Sequence, residues 1–353
     1  MQHFPLSFTA GEALLVSQGA TALAATAAHS SALLASTLNA STSRLPEAEA
    51  VSLFVKMLLL GTAVVWCLST PSVLALGRAH ALSKPPPTRH VITLGLVATA
   101  GASVALWPAM WAVKFAFASQ QRCFLMVFWV LILSVSVMAI AKAASHTELP
   151  NIVVRKLYHI LAVAIFLPGL LFEQHLLAVA SAIAFAAIAA LELIRIGRIP
   201  PLGSKLNKFM HTFTDSRDKG VLLVSHFSLL VGVALPVWLM LDNPQSSGEA
   251  FSGILVLGVM DTAASVVGIK FGCTPVHSGA RKTAEGLLGG ILCTLAAWCV
   301  LLAAGVPPQL TAAGIAASTA ATGLLEAVTT QMDNLFLPLY YLTLLTTCAR
   351  VLQ

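Results

Sequence analysis

A chain of 353 residues would fill two or three soluble domains, but 58% of this one is hydrophobic and 10% is charged, with a mean hydropathy of +0.87. That composition excludes an ordinary soluble fold and describes an all-α, polytopic integral membrane protein. The formal net charge of +6 would suit a nucleic-acid binder only if the basic residues formed a groove, and they crowd instead into short loops between apolar runs.

Those runs are close to the length of about 20 residues that a helix needs to cross the hydrocarbon core. In chain order the expected spans are 12–38, 51–77, 90–113, 123–142, 157–172, 174–196, 221–241, 249–268, 286–305, 309–328 and 333–350. The first is rich in Ala, Ser and Thr, and the fifth is short and interrupted by Pro168-Gly169, so about 10 or 11 crossings are expected. No Lys or Arg precedes the first apolar stretch, which therefore does not read as a cleaved signal peptide. The six cysteines show no CxxC spacing and read as small hydrophobes, not as a disulfide framework or a zinc site.

Threading the spans alternately gathers most Lys and Arg into the loops around 78–89, 142–156, 195–219 and 270–282. The opposite loops hold only Arg44, Lys114, Arg122 and Arg350. A bias of this kind places the first set in the cytosol and explains the basic balance as topology and contact with anionic headgroups.

Three cytosolic breaks carry more than connectors need. In the first, Arg155, Lys156 and His159 flank the mouth of the fifth span, where anchoring at the headgroups is the plain alternative. In the second, Leu202, Leu206, Phe209 and Phe213 recur at helical spacing, so a helix lying in the interface is expected. That break ends in Asp215-Ser-Arg217-Asp218-Lys-Gly220, where two carboxylates interleaved with two cations suit a solvated cluster, a metal or a phosphate.

The third break, Asp261 to Gly290, organises the rest. Asp261 is an acid within a span, costly unless it meets a polar cavity or a cation. Ala264, Ser265 and Gly268 share its helical face, and Gly286 with Gly290 makes a small-xxx-small pair that permits close helix packing. Arg281 and Lys282 offer a guanidinium and an ammonium for phosphate oxygens. Thr283 adds a hydroxyl, Glu285 a carboxylate for a divalent ion, and the next helix its N-terminal dipole. No GxxxxGK[ST] motif occurs in the chain. If the tenth span continues beyond Glu326, then Glu326, Thr330 and Asp333 share a face, and Asp261, Glu326 and Asp333 converge near Lys282 as oxygen ligands for Mg²⁺ or Ca²⁺.

Taken together, five ordered segments resemble the polyprenol kinase family, in its CTP-dependent dolichol kinase branch. They are Arg155-Lys156-Leu-Tyr-His159, Asp215 to Gly220 with Ser225-His226, Asp261-Thr-Ala-Ala-Ser265 with Gly268 and Gly272, Lys282-Thr283-Ala-Glu285-Gly286, and Leu325 through Asp333-Asn334 to Tyr340. Two positions depart from the family's usual pattern. Met260 stands where a glycine is usual, and Val276-His277-Ser278 replaces an expected tryptophan before Gly279.

The resemblance implies transfer of the γ-phosphoryl group of CTP to the terminal hydroxyl of dolichol, giving dolichyl phosphate for protein glycosylation. It implies an endoplasmic reticulum membrane location, with the active-site loops facing the cytosol. Residues 146–353 would form the catalytic membrane domain, with a CTP-binding loop at about 270–290, and 1–145 an amino-terminal set of helices of unassigned role. Gly272, Gly279, Arg281, Lys282, Thr283, Glu285, Gly286, Arg155 and Lys156 would then bind the nucleotide, Asp261, Glu326 and Asp333 the divalent cation, and Asp215, Asp218 or His159 would serve the lipid hydroxyl as base. Rival readings are another CTP-dependent lipid kinase acting on phytol, farnesol or diacylglycerol, a phosphatidate cytidylyltransferase, and, in a different class, a membrane transporter.

Overall fold

The computed structural model describes residues 46–82, 88–146, 151–211, 223–242, 248–277, 282–329 and 333–351. The expected first span, 12–38, lies outside the described residues. The helices are α1 (Glu47–Ala81), α2 (Thr88–Ala116), α3 (Gln120–His146), α4 (Asn151–Phe172), α5 (Gln174–Ile196), α6 (Gly203–His211), α7 (Val224–Leu239), α8 (Asp261–Phe271), α9 (Ala284–Ala303), α10 (Ala312–Val328) and α11 (Asp333–Val351). Each of the other expected spans except 249–268 coincides with one of them, and α6 falls within the helix expected between Leu202 and Phe213. Among the described residues four segments are long and apolar enough to cross a bilayer, namely Glu47–Ala81, Gln174–Ile196, Ile254–Phe271 and Ala284–Ala303, or five if the bent pair Ala109–Ala116 and Gln120–Ser136 is one span.

Packing divides the chain into two units, each drawn from two stretches: 1–118 with 179–227, and 119–178 with 228–353. In the first unit α1 packs on α2, with Phe54, Trp111 and Phe115 in successive ring contacts at 5.0 Å. Glu192, wholly buried, accepts both Nε and Nη2 of Arg195 at 2.7 and 2.6 Å and the Leu223 N–H at 2.8 Å. Arg195 also donates to Asn207 of α6 at 3.3 Å. One ion pair thereby satisfies its own buried charges and ties both ends of the long polar connection to α5.

The second unit is built around the rod Ile254–Phe271, which contacts α4, α9 and α11. The rod begins after a short 3-10 turn, Glu249–Phe251, as a π-helix over Ile254–Met260 and changes to α-helix at Asp261. A single α-helical span over 249–268 was the expectation, and the wider coil is the correction. Neighbours surround the rod on every side here, leaving Ile254, Leu255, Val256 and Leu257 at most 4% exposed.

Lipid tails are as apolar as the side chains, so close backbone approach must replace hydrophobic gain as the source of helix association. Glycines supply it. A Cβ on Gly253 would fall 2.6 Å from the Val233 Cα, and one on Gly232 would overlap the Asn334 carbonyl. Tyr341 joins α9, α10 and α11 by accepting from Trp298 Nε1 at 2.7 Å and meeting Thr319 Oγ1 at 2.9 Å. The expected interruption at Pro168-Gly169 is absent, because α4 runs through Pro168 to Phe172. Near the end of a helix the proline forfeits one backbone bond, and Gly169 receives Leu177 of the returning α5 at contact distance.

Gly232→Ala is expected to lower stability by about 1–3 kcal/mol, the usual cost of overpacking. Gly61→Ala on α1, where nothing lies within 4 Å, should be neutral or stabilising. Thermal unfolding of the two variants in detergent checks the pair.

Candidate active site

Asp261 stands where the π-helix gives way to α8, and its own N–H bonds to the Val256 carbonyl, five residues back. π-Helical turns are rare and recur at functional positions. Here the wide turn coincides with Gly258, whose missing Cβ leaves room for Val163 of α4. The close approach of α4 brings Lys156 and His159, three residues apart on one face, against the acid. Lys156 Nζ donates to Asp261 Oδ2 at 2.5 Å and to the Asp261 main-chain carbonyl at 3.1 Å. His159 Nδ1 lies 3.3 Å from the same Oδ2. Asp261 Oδ1 accepts no hydrogen bond from the described residues.

A second pair repeats the arrangement on different helices. Lys282 Nζ donates to Glu326 Oε1 at 2.5 Å and also to the Glu326 main-chain carbonyl. That carbonyl belongs to the last turn of α10, where carbonyls have no partner within the helix and the dipole is negative. A cation is favoured there for both reasons. The acids are almost enclosed, with side chains 7% and 6% exposed for Asp261 and Glu326, whereas Lys156 is 16% and Lys282 35% exposed.

The loop between α8 and α9 carries Lys282 on its returning arm. Val276 N–H donates to the Lys282 carbonyl at 3.0 Å and Ala284 N–H to the Thr274 carbonyl at 2.8 Å, around an antiparallel bridge between Pro275 and Thr283. Thr283 caps α9, its Oγ1 accepting the Gly286 N–H at 3.2 Å. Glu285 accepts the N–H groups of Cys273 and Thr274 at 3.1 Å. Its carboxylate and the Thr283 hydroxyl thus build the loop's frame. Beneath them a Cβ on Gly286 would fall 2.7 Å from the Ala264 carbonyl, one on Gly290 3.0 Å from that of Met260, and one on Gly272 against the Thr283 side chain. The small-residue faces of α8 and α9 meet as expected.

Asp215, Asp218, Gly279 and Arg281 lie outside the described residues, as do the side chains of Arg155 and Asp333. The expected continuation of the tenth span past Glu326 is corrected. α10 ends at Val328, and Thr329 is extended with φ −80° and ψ 141°, so no single helical face carries Glu326 through Asp333. Among the described residues no three His, Cys, Asp or Glu side chains form a preformed metal cage. The oxygens that Lys156 and Lys282 gather, a carboxylate with a main-chain carbonyl in each case, are nonetheless hard donors that fit Mg²⁺ or Ca²⁺. The expected approach of Glu326 to Lys282 is found, whereas sequence reasoning missed that Lys156 is the partner of Asp261. An acid within a span signals that some partner exists, but many basic residues compete for the part.

A family profile described as dolichol kinase matches residues 1–326. The chain is similar to Dolichol kinase EVAN of Arabidopsis thaliana, 40% identical over 248 residues that cover 67% of this chain and 43% of the relative. It is similar to Dolichol kinase of Homo sapiens, 36% identical over 256 residues covering 67% and 47%. For Dolichol kinase of Saccharomyces cerevisiae the identity is 29% over 237 residues, covering 66% and 44%. The chain spans about half the length of the curated relatives it matches. No solved structure matches it.

Glu285→Ala should release the outgoing arm of the loop, so that limited proteolysis between Cys273 and Lys282 speeds up several-fold. Thr283→Ala should cost about 1 kcal/mol, as loss of a helix cap usually does. A cleavage rate in the Glu285 variant equal to that of the parent would mean the carboxylate is no clamp.

Proposed function

This chain belongs to the dolichol kinase family, and from that membership we propose that it transfers the γ-phosphoryl group of CTP to the terminal hydroxyl of dolichol, yielding dolichyl phosphate. The observation that carries the reading is the pairing of Lys282, on a braced loop at the start of α9, with a buried acid at the end of α10. Phosphoryl transfer asks for positioned charge more than for covalent chemistry, and this loop holds an accessible ammonium beside a helix N-terminus.

In this reading Lys282 and Arg281 hold the nucleotide phosphates, with Arg155 at the same mouth. Gly272, Gly279 and Gly286 let backbone approach the ligand, and Thr283 and Glu285 keep the loop in shape. Asp261, Glu326 and Asp333 would hold a divalent cation, Mg²⁺ or Ca²⁺. Once bound, such an ion neutralises charge on the phosphates and orients them. Lys156 compensates Asp261 and fixes its direction, and His159, against the same carboxylate, is a candidate to take the proton of the lipid hydroxyl, as are Asp215 and Asp218. The isoprenoid chain lies among apolar helices with only its head at the site. The catalytic segment is 146–353, the membrane that of the endoplasmic reticulum, and the loops face the cytosol, in keeping with the distribution of Lys and Arg.

The test is transfer of label from γ-labelled CTP, with ATP in parallel, by the purified chain in lipid supplied separately with dolichol, farnesol, diacylglycerol or phosphatidic acid. Labelled dolichyl phosphate from CTP alone is expected. Label on another lipid would reassign the acceptor, and label on none would revive a transporter. Lys282→Ala should lower turnover by about 10²–10³-fold, the usual effect of removing a preorganised charge partner, without leaving the membrane fraction. Asp261→Asn should weaken the dependence on divalent cation, which a metal titration of the rate would read directly.

A further inference from the structure

Two hydrogen bonds pin α3 to α4, one at each end of a short stretch. Trp129 Nε1 donates to the Ile165 carbonyl at 2.9 Å. Arg122 Nε donates to Glu173 Oε2 at 3.0 Å, in an ion pair whose side chains are 8% and 14% exposed. Between these pins the two helices do not close on one another. A groove of about 410 Å³ remains, lined by Phe124, Leu125 and Phe128 of α3 and by Pro168 and Phe172 of α4, with Gln121 as its one polar side chain. The pins hold the separation, so the space persists, and an apolar space of this kind gains dispersion contacts only from hydrocarbon.

The groove lies on the helix that also reaches the candidate active site. His159 of α4 stands against Asp261, and at a rise of 1.5 Å per residue Pro168 and Phe172 follow it by about 14 and about 20 Å. Leu157 and Ile160, beside His159, and Leu171 and Phe172, at the groove, are all exposed, so α4 offers apolar surface at both levels. Beyond the groove stands the Arg122–Glu173 pair. Charges gather where hydrocarbon gives way to headgroups and water, so the groove occupies the last part of the apolar layer on the side away from Asp261.

We infer that this groove binds the isoprenoid chain of the acceptor alcohol several units in from its hydroxyl, so that α4 holds one lipid at two places, the head by His159 and the chain at Pro168 and Phe172. The inference rests on the kinase reading above and deepens it, because it places the part of the substrate that tells a long polyprenol from a short one. An acyl chain of the surrounding bilayer fits the same space, but a chain whose head is already held at the site meets the groove at a high effective concentration. An isoprenoid too short to reach Pro168 forgoes those contacts. The groove then selects chain length through binding and not through the chemical step.

The test is photo-crosslinking on the unaltered full chain in phosphatidylcholine, with no nucleotide present. The probe is a dolichol analogue carrying a diazirine at the part of its chain that lies about 14–20 Å from the hydroxyl when laid along α4. Labelling mapped by mass spectrometry should fall on the peptides that hold Phe124 to Phe128 and Pro168 to Phe172, and excess unlabelled dolichol should suppress it several-fold where extra phosphatidylcholine does not. Labelling on other helices, or labelling that phosphatidylcholine suppresses as well as dolichol does, would overturn the inference.

A filled groove gives the second reading. Leu125→Trp should raise the KM for dolichol by about tenfold, equivalent to about 1.4 kcal/mol of binding, with kcat unchanged. A folded variant whose KM does not move, or whose loss is all in kcat, would also overturn it. The two proposals fail separately. Phosphorylation of dolichol without crosslinks in the groove removes the groove and keeps the kinase, whereas dolichol-sensitive crosslinks there without transfer from CTP keep the groove and remove the kinase.

Discussion

Two carboxylates enclosed among membrane helices set the terms for the second packing unit. An ionised acid taken out of water costs several kcal/mol unless a counterion and hydrogen bonds replace the lost hydration, and Asp261 and Glu326 are each met by a lysine from another part of the chain. The reach of a lysine is short, so each pairing dictates a helix approach. Lys156 meets Asp261 because α4 lies close to the rod at Gly258, and Lys282 meets Glu326 because the start of α9 lies beside the end of α10.

Close approach is therefore a precondition of the electrostatics, and in lipid it comes from small residues. Gly286 and Gly290 admit the main chain of the rod at Ala264 and Met260, and Gly323 on α10 admits Ile291 of α9. The π-helix before Asp261 belongs to the same account. Its wider coil is tolerated where neighbours bury five of its seven residues, and it sets the direction from which the acid meets α4. Charge compensation, glycine packing and helix geometry form one connected arrangement in which no part can shift alone.

Against this rigid frame the α8–α9 loop is the accessible element. Its arms are joined to each other, to a helix cap and to the Glu285 carboxylate, which limits motion without burying the lysine at its end. A site that handles phosphates needs that combination: a positive group free to meet the ligand on a backbone that does not have to be reorganised. Membership of the dolichol kinase family and this division between fixed and accessible cations support the same reading.

Composition by itself determined the class of the molecule, and the apolar periodicity determined nearly every described helix, because a bilayer imposes the length and polarity of whatever crosses it. The small faces of Ala264, Gly268, Gly286 and Gly290 were legible for a related reason, since their spacing has one use in a helix. Lys282 and Asp261 stood out as charges at the edge of apolar runs. That Lys156 is the cation which meets Asp261 was decided only by the tertiary structure, because the two are 105 residues apart and local pattern carries no record of such a pairing. The end of α10 at Val328 and the π-helix before Asp261 likewise depend on packing against neighbours. Apolar residues that suit an α-helix suit a π-helix equally well, and the surrounding helices settle which one forms.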